Sequence, residues 1–491
     1  MHEETVQEGT LQKSIRAGKW LTIDFLVQKL IAFLPFFILA RLLTPEDFGL
    51  VAIILLVPHF LQVVSEHGLT TAAIQKGGDV NKYLNPIWTL NALRGVLIAG
   101  VMFLLAPFIA SFYHVEAYVW PVRFGGLIVL IHHFTNIGEI WFTKDLDFKK
   151  VFLRNTARSV AYAVVAITLA VTTHSYWSLL IAQAAMQITE TIATYVLQPY
   201  RPRLSFRFGL LKELTGFSKW IMGQTFADQI YGFAEQSIVA RTTNTASVGL
   251  YTKAKNLASV GPGFIASIIS MIAFPAFARI KEDPKKVQEG LKRSMDLLFV
   301  VTMPIIVLIL AAGGKLVLIL LGEPWLPITN ALRIFVLYFT IFNLTDICYK
   351  ALSGIGHPDI KVKFDGIKIS LSIVLLLIAA PRWGATGAAG ALFLGFFPVL
   401  VLSVRALILR TTVTAWNILI RAGFPLSVAM VLLVPAIIWK EAILGFSIIS
   451  LGMLALAYIF FYALIIVAVG KKFNRGPYST LLLIAKTAPR V

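Results

Sequence analysis

Long apolar runs recur along the whole chain, separated by short polar stretches. Each run is close to the roughly 20 residues that a helix needs to cross the hydrocarbon core of a bilayer. The runs follow one another too closely for a soluble domain to fold between them. They cover 20–40, 48–66, 86–111, 118–141, 153–173, 176–198, 216–240, 247–276, 294–312, 327–349, 362–380, 384–409, 417–438 and 443–469. The pattern predicts an all-α integral membrane protein with about 14 transmembrane helices.

The composition favours the same class of protein. Of the 491 residues, 57% are hydrophobic and only 14% are charged, whereas soluble domains carry roughly a quarter of charged residues. The single cysteine, Cys348, excludes a disulfide framework and a multi-cysteine metal site within the chain. The first run contains Asp24 and Lys29 and continues past the length of a signal peptide, so it is predicted to be a membrane span.

Lysine and arginine are distributed unevenly over the connections between the runs. In a soluble protein the net charge of +19 would suggest nucleic-acid binding. Here 33 of the 44 basic residues fall in or beside every second connection, starting with the N-terminal segment, 8 fall in or beside the others and 3 lie at mid-span. This bias predicts that both termini are cytoplasmic. Because the charge is spread over many short loops that face anionic lipid, no nucleic-acid partner is expected.

The chain contains an internal repeat at an offset of 200 residues. Segment 19–50 aligns without gaps on 219–250, with 8 identities in 32 positions that include Trp, Arg and Gly. Chance similarity between apolar helices is the alternative explanation. Two halves in the same orientation, with a substrate site between them, are typical of one class of transporter. The predicted organisation is an N-terminal lobe (1–199), a cytoplasmic linker (200–214), a C-terminal lobe (215–410), two extra transmembrane helices (411–470) and a cytoplasmic tail (471–491).

Several charged side chains lie inside the predicted spans. Such charges cost at least a few kcal/mol at bilayer depth, so they usually face a cavity or a partner. Arg94 and Arg333 could equally snorkel to the interface or pair with a carboxylate. Glu66, Glu139 and Asp346 lie near span ends, where interfacial water can solvate them. His132 and His133 are adjacent and therefore point to different sides of a helix, so they are not expected to share a metal ion.

Enzymatic motifs are missing from the sequence. It has no P-loop lysine motif, no Gly-x-Ser-x-Gly and no His-Glu-x-x-His. No connection is long enough to hold a catalytic domain. We therefore expect a transporter without a nucleotide site, a metal or another cofactor, and not an enzyme.

Three motifs resemble the Wzx-type flippases of bacterial surface-polysaccharide synthesis. They are ARLLTPEDFGL at 40–50, GLTTAAIQ at 68–75 and GLY at 249–251. These flippases belong to the multidrug/oligosaccharidyl-lipid/polysaccharide (MOP) exporter superfamily, and the resemblance runs over essentially the full length. It implies a MATE/MOP-like fold of two pseudo-symmetric six-helix lobes plus two C-terminal helices. It also implies alternating access, with export of an undecaprenyl-pyrophosphate-linked oligosaccharide across the bacterial inner membrane.

The same resemblance implies further properties that the residues alone do not establish. H⁺ or Na⁺ is the expected coupling ion, and a polymerase and co-polymerase of the polysaccharide pathway are the expected protein partners. A pyrophosphate head group needs cations in place of its counter-ions. The hypothetical head-group ligands are Lys29, Arg94, Arg333, Lys253 and Lys255. The hypothetical ion-coupling or gating residues are Asp24, Asp228 and Glu235, and the hypothetical hinge is Gly261, Pro262 and Gly263, for which a static kink is the alternative.

Three other functions remain open at this point. A cation-coupled multidrug exporter of the same fold would favour an acidic, aromatic-lined cavity. A membrane glycosyltransferase or polysaccharide polymerase would usually need a large outer loop, and the outer connections here are short. A lipid scramblase or a structural membrane protein would not need the parallel repeat or the buried charges.

Overall fold

The structure is a computed structural model. It describes residues 2–65, 68–76, 79–280, 282–411, 413–438 and 457–468. For 2–15, 215–225, 264–276, 433–438 and a few single helical positions, only the backbone is described. Glu66, the predicted tail 471–491 and most of the last predicted span lie outside the described residues.

The described part of the chain is all-helical and contains no strand. The helices are α1 (His2–Leu42), α2 (Pro45–Val64), α3 (Leu69–Lys76), α4 (Asn81–Phe112), α5 (Val119–His133), α6 (Ile140–Lys144), α7 (Phe148–Thr173), α8 (Trp177–Leu197), α9 (Lys212–Thr242), α10 (Thr245–Ile280), α11 (Pro284–Leu320), α12 (Ile328–Gly354), α13 (Asp359–Arg410) and α14 (Ala415–Ile438). A further apolar helix covers Ala457–Ala468. The predicted fold class is therefore confirmed.

Among the described residues, seven helices are long and apolar enough to cross a membrane by length and composition. This count differs from the predicted one partly because α13 contains two predicted spans, which meet at Gly384 with its left-handed φ of 53°. The predicted span 118–141 is interrupted, since α5 ends at His133. Asn136 then caps a short turn by accepting a hydrogen bond from the N–H of Gly138. The total of fourteen membrane helices stays a prediction.

The chain divides into two compact units, Met1–Gly249 and Leu250–Val491. In the first unit α7 packs along α1 and α8, α4 packs along α5, and α2 packs on both α5 and α9. In the second unit α12 packs along α13, and α11 packs along α12 and α14. The lobe boundaries predicted from the sequence stay a prediction.

Ion pairs between helices stabilise the interior of each unit. In the first unit Arg158 of α7 binds Glu190 of α8 at 2.7 Å, and the side chain of Glu190 is only 7% exposed. In the second unit Arg421 of α14 binds the buried Asp296 of α11. Each pair gives a buried carboxylate an arginine partner from a neighbouring helix.

The connection between α8 and α9 begins with a segment without regular secondary structure, residues 198–207, which we call the strap. A short 3₁₀ helix, Phe208–Leu211, follows it and leads into α9. Several hydrogen bonds fix the strap on the first unit, including one from the side-chain amide of Gln198 to the carbonyl of Gly138 at 2.8 Å. This segment occupies most of the predicted linker.

Candidate transport site

The two copies of the repeat have matching helix ends. α1 and α9 end at Leu42 and Thr242, and α2 and α10 begin at Pro45 and Thr245, so each pair differs by the offset of 200. Both turns are closed by a polar cap. Thr44 accepts a hydrogen bond from the N–H of Asp47, and the equivalent Asn244 accepts one from the N–H of Ser247 at 2.8 Å. Short polar side chains at these positions satisfy the free N–H groups of the first helical turn.

The first turns of α2 and α10 cross in direct backbone contact. A Cβ placed on Gly49 would lie 2.7 Å from the carbonyl carbon of Thr245, and a Cβ on Gly249 would lie 2.8 Å from that of Pro45. The contact is reciprocal, because residue 49 meets residue 245 and residue 249 meets residue 45. This is the geometry of a local pseudo-two-fold axis between the repeats. Only glycine allows the backbones to approach so closely.

The half of α9 next to this crossing packs on α2 and α4. The Phe233 ring stacks on the Phe60 ring of α2 with centroids 3.9 Å apart. Nearer the end of α9, the Ser237 and Tyr113 hydroxyls are hydrogen-bonded at 2.8 Å. The guanidinium of Arg241 lies 5.3 Å from the centroid of Phe112. These contacts place the predicted gating residue Glu235 among packed helices, where it is 3% exposed.

The other end of α9 is also fixed within the first unit. Glu213 accepts hydrogen bonds from Lys76 of α3 at 2.6 Å and from the hydroxyl of Tyr83 of α4 at 2.8 Å. Lys82 approaches the same carboxylate at 3.4 Å. The hydrogen bond from Lys76 and then that from Tyr83 lower the pKa of Glu213 to about 2. Since the group is solvent-exposed, the contact orients α9 more than it stabilises the fold.

Asp24, a predicted coupling residue, faces α7. Its carboxylate accepts a hydrogen bond from Asn155 at 2.8 Å and one from Gln28 at 3.2 Å. Arg154 donates to the same Asn155, and also binds Glu139. The carboxylate of Asp24 is therefore held by neutral amides with an arginine behind them. Among the described residues, Asp24 therefore has amide partners and no direct ion pair.

Asp228 and Glu235 are seven residues apart on α9, a spacing that places them on one helical face. The structure gives them different surroundings, because Asp228 is exposed and Glu235 is buried. The side chain of Asp228 forms no hydrogen bond or ion pair with a described residue. The packing of α9 on α2 and α4 covers the turns around Glu235 but does not extend to Asp228. The gating or coupling role of either residue stays a prediction.

The two predicted cations of the first unit have unlike environments. Lys29 is exposed on α1, with its ammonium 5.6 Å from the centroid of the Phe25 ring. Arg94 donates from Nε to Nε2 of His133 at 3.0 Å and from Nη1 to the carbonyl of Ser65 at 2.7 Å. Arg94 therefore links α4, α5 and the end of α2. Arg94 therefore has a structural role besides its predicted role in binding the head group.

The three predicted cations of the second unit lie near the starts of α10 and α12. Lys253 is 7% exposed, with its ammonium 5.8 Å from the centroid of Trp325. The ammonium of Lys255 lies 5.8 Å from the centroid of Tyr251. Arg333 of α12 donates weakly to Asn330 at 3.4 Å, while its buried Nε has no hydrogen-bond partner among the described residues. An arginine donor without an acceptor is uncommon in a folded interior and leaves room for an anionic one.

The predicted hinge lies inside a continuous helix. α10 runs from Thr245 to Ile280 through Gly261, Pro262 and Gly263, and none of these glycines has a left-handed φ. A Cβ on Gly263 would meet no atom within 4 Å. Whether this helix bends in function stays a prediction.

Sequence reasoning missed two features of the first unit. It noted Gly49 and Gly249 only as identities in the repeat, although glycines at equivalent positions after a capped turn signal a close backbone approach. It also did not pair Arg158 with Glu190, which the structure joins between α7 and α8. Among the described residues, no three His, Cys, Asp or Glu side chains are placed to hold a metal ion.

Comparison with known proteins identifies the family. Residues 38–330 match the family described as polysaccharide biosynthesis protein. The lipopolysaccharide biosynthesis protein WzxC of Escherichia coli is 22% identical over 80% of this chain and 79% of its own length. The teichuronic acid biosynthesis protein TuaB of Bacillus subtilis is 24% identical over 77% of this chain and 78% of its own length.

Solved structures show the fold. The lipid II flippase MurJ in an inward closed conformation superposes with a TM-score of 0.72 at 11% identity, covering 92% of this chain and 99% of that one. An inward-facing multidrug resistance MATE transporter of the MOP superfamily superposes with a TM-score of 0.61 at 14% identity, covering 80% and 98%. The MATE/MOP-like fold implied by the motifs is confirmed. The chain belongs to the polysaccharide biosynthesis protein family and is a multi-pass membrane protein.

Proposed function

We propose that this protein is a flippase for undecaprenyl-pyrophosphate-linked oligosaccharide. It moves the sugar head group from the inner to the outer leaflet of the bacterial inner membrane, for synthesis of O-antigen, capsule or exopolysaccharide. The observation that carries the proposal is the family match over residues 38–330, which includes both copies of the repeated helical turn. The relatives named above act in lipopolysaccharide and teichuronic acid biosynthesis, and the structural relative MurJ is a lipid II flippase.

The charge of the proposed cargo suits the side chains that the chain offers. A pyrophosphate-linked sugar is large, polar and negative, and its transfer through hydrocarbon without a protein would cost many kcal/mol. Arg333 supplies a buried guanidinium Nε for which the described part of the chain offers no acceptor. A phosphate oxygen is a suitable acceptor for that group, because guanidinium and phosphate form strong, directional hydrogen bonds. Lys29, Arg94, Lys253 and Lys255 are the further proposed contacts.

Alternating access would give a role to the backbone contact between the first turns of α2 and α10. With both termini in the cytoplasm, the first turns of α2 and α10 lie at the outer face of the membrane. Their contact at Gly49 and Gly249 then closes the outer end of the pathway, and release of cargo requires these turns to separate. Asp24, Asp228 and Glu235 are the proposed sites where H⁺ or Na⁺ binding, or a gating ion pair, biases this motion.

An export assay tests the proposed function and its ligand assignment separately. The chromosomal gene is deleted in the parent organism, and the wild type, Arg333→Gln or Arg382→Gln is supplied at equal membrane abundance. Arg382 is a matched control, since it is exposed and its side chain forms no hydrogen bond or ion pair with a described residue. Loss of a charged hydrogen bond of about 1.5–3 kcal/mol predicts roughly 10- to 150-fold weaker head-group binding for Arg333→Gln. The control should export normally.

Each outcome of this assay has a definite meaning. Normal export by Arg333→Gln would remove Arg333 from the binding site while leaving the flippase function intact. Normal surface polysaccharide in the deletion strain would contradict the function itself. If the deletion leaves single exported repeat units instead of none, the protein is a polymerase, and if it abolishes efflux of cationic drugs while glycan export continues, it is a multidrug exporter.

A polymerase and co-polymerase are the protein partners that the proposed pathway requires. A flippase delivers single units to the outer leaflet, so an enzyme that joins them must act on the same lipid afterwards. Co-isolation of the three proteins from crosslinked membranes tests whether they contact one another. Recovery of the flippase alone, with the lipid substrate present, would contradict a stable complex.

A further inference from the structure

The strap between α8 and α9 is fixed to α4 by its backbone. The side-chain oxygen of Asn85 accepts hydrogen bonds from the N–H of Arg203 at 2.8 Å and from the hydroxyl of Tyr200 at 2.5 Å. The hydroxyl of Thr89, fully buried, accepts one from the N–H of Ser205 at 2.8 Å. Three bonds to two neighbouring turns of one helix hold the strap at a defined height along α4.

Tryptophan and tyrosine side chains cluster at that height, as they do at a membrane–water boundary. Thr89 is eight residues into α4, or about 12 Å from its start at 1.5 Å per residue. Trp88 lies beside it, and Trp141 and Tyr200 pack on the same apolar cluster while remaining partly exposed. Tryptophan and tyrosine are concentrated at this level in membrane proteins, since their rings have an apolar body and a polar edge.

Two large apolar side chains of the strap project away from the protein. Leu204 is 67% exposed and Phe206 is 66% exposed. Phe208, by contrast, turns back and packs on the apolar cluster of the first unit. Because the backbone at Arg203 and Ser205 is hydrogen-bonded to α4, the strap cannot rotate to bury Leu204 and Phe206. In water they would leave apolar surface exposed at a cost of about 25 cal/mol per Å².

Arginines alternate with these apolar residues. Arg203 and Arg207 are exposed, and their side chains form no hydrogen bond or ion pair with a described residue. Arg201 is different, because it donates to the carbonyl of Gln198 at 2.7 Å. Exposed apolar side chains beside unpaired arginines are the pattern of a segment that lies in the interface of an anionic membrane.

We propose that the strap is a lipid anchor of the inner leaflet. Leu204 and Phe206 enter the boundary between head groups and acyl chains, while Arg203 and Arg207 bind the phosphates of anionic phospholipids. The anchor holds the region where α8 passes into α9 at a constant depth, independently of the cargo. It rests on the inner-face orientation predicted by the charge bias and not on the identity of the transported sugar.

Depth measurement by spin labelling tests this anchor in the full chain. The only native cysteine, Cys348, is fully buried, so a nitroxide can be attached selectively to Phe206→Cys. Leu104 lies on the apolar surface of α4 and is 78% exposed, so a label on Leu104→Cys gives the membrane reference. Glu282→Cys, exposed in the turn before α11, gives the water reference. Leu204→Cys is a second reporter should the Phe206 variant not fold.

The readout is the ratio of collisions with oxygen, which enters the bilayer, to collisions with a water-soluble nickel chelate. In vesicles of phosphatidylglycerol and phosphatidylethanolamine, the ratio at position 206 should be several-fold above that at 282 and approach that at 104. Combining Arg203→Gln with Arg207→Gln, or replacing phosphatidylglycerol by phosphatidylcholine, should lower it at least about twofold.

A ratio at 206 equal to that at 282 in every lipid would overturn the anchor. A high ratio that neither the arginine variants nor lipid charge changes would overturn the recognition of head groups. Immobilisation of the label in native membranes alone, with a water-like ratio in anionic vesicles, would identify an acidic protein partner and would also contradict the lipid assignment. None of these results bears on export of the oligosaccharide, so the anchor and the proposed function can fail separately.

Discussion

Replacing Gly49 by alanine should force the first turns of α2 and α10 apart. The new Cβ would stand 2.7 Å from the carbonyl carbon of Thr245 and closer still to its oxygen, whereas an ordinary contact is 3.4–4 Å. The obstacle is backbone, so no change of side-chain rotamer can relieve it. The two turns must therefore separate by more than about an ångström or distort.

The expected size of the effect on this equilibrium follows from the free-energy cost of overpacking. Forcing one extra methyl group into a close-packed contact costs about 1–3 kcal/mol, which corresponds to roughly a 5- to 150-fold shift of the equilibrium away from the crossed arrangement. Gly249→Ala should have a similar effect, because its Cβ would meet the carbonyl group of Pro45 in the same way. The two substitutions together should not be additive, since the first already separates the turns.

Pulsed electron resonance between nitroxides measures this separation. Glu46→Cys and Ala246→Cys occupy equivalent positions of the two turns and can be labelled while the buried Cys348 stays unreactive. The distance distribution should become longer and broader in Gly49→Ala. Export of polysaccharide should fall in parallel, because an outer end that cannot close traps the transporter in one state.

Gly232→Ala is the matched control on α9. A Cβ at this position meets no atom within 4 Å, and alanine is the better helix former by about 1 kcal/mol. This variant should keep the wild-type distance distribution and export. Unchanged distances in Gly49→Ala, with the protein folded and at normal abundance, would refute the close approach of the two turns.

Three further predictions concern the first unit. The pKa of Glu213 is lowered to about 2 from 4.5, so the stabilisation from its charged carboxylate is present above pH 4.5 and is lost as the pH falls towards 2. The unfolding temperature of Glu213→Gln should lack this pH dependence. Arg158→Met leaves Glu190 buried without its partner and should destabilise the protein by about 3–5 kcal/mol, while adding Glu190→Met should restore much of the loss; unfolding in detergent measures both. Asn85→Ala removes the acceptor of two strap hydrogen bonds, so limited trypsin digestion should cleave the strap several-fold faster than in the wild type, and an unchanged rate would contradict its fixation.

Much of the fold could be predicted from the chain alone. The apolar runs predict helices because a bilayer offers no water to satisfy free backbone groups. The offset of 200 predicts equivalent turns, and the structure places both the helix ends and the polar caps at that offset. The span 118–141 could not be predicted correctly, because the side chain of Asn136 replaces a helical hydrogen bond with a local cap inside an apolar run.

Less of the candidate site could be predicted from the sequence. Spacing places Asp228 and Glu235 on one face of α9, but it does not say how far the neighbouring helices extend over that face. Arg94 was recognised as a charge within a span, whereas its bonds to His133 and to the carbonyl of Ser65 depend on how three helices pack. Partners of this kind are non-local, and no periodicity along the chain encodes them.

Translocation of a defined lipid in proteoliposomes tests the central claim most directly. An undecaprenyl-pyrophosphate oligosaccharide with a fluorescent sugar is placed in both leaflets, and a membrane-impermeant reagent destroys the fluorophore on the outside. The account predicts that vesicles with the wild-type protein lose nearly all of the signal, while vesicles with Arg333→Gln lose the inner half much more slowly. Loss of only the outer half in wild-type vesicles, as in vesicles without protein, would contradict it.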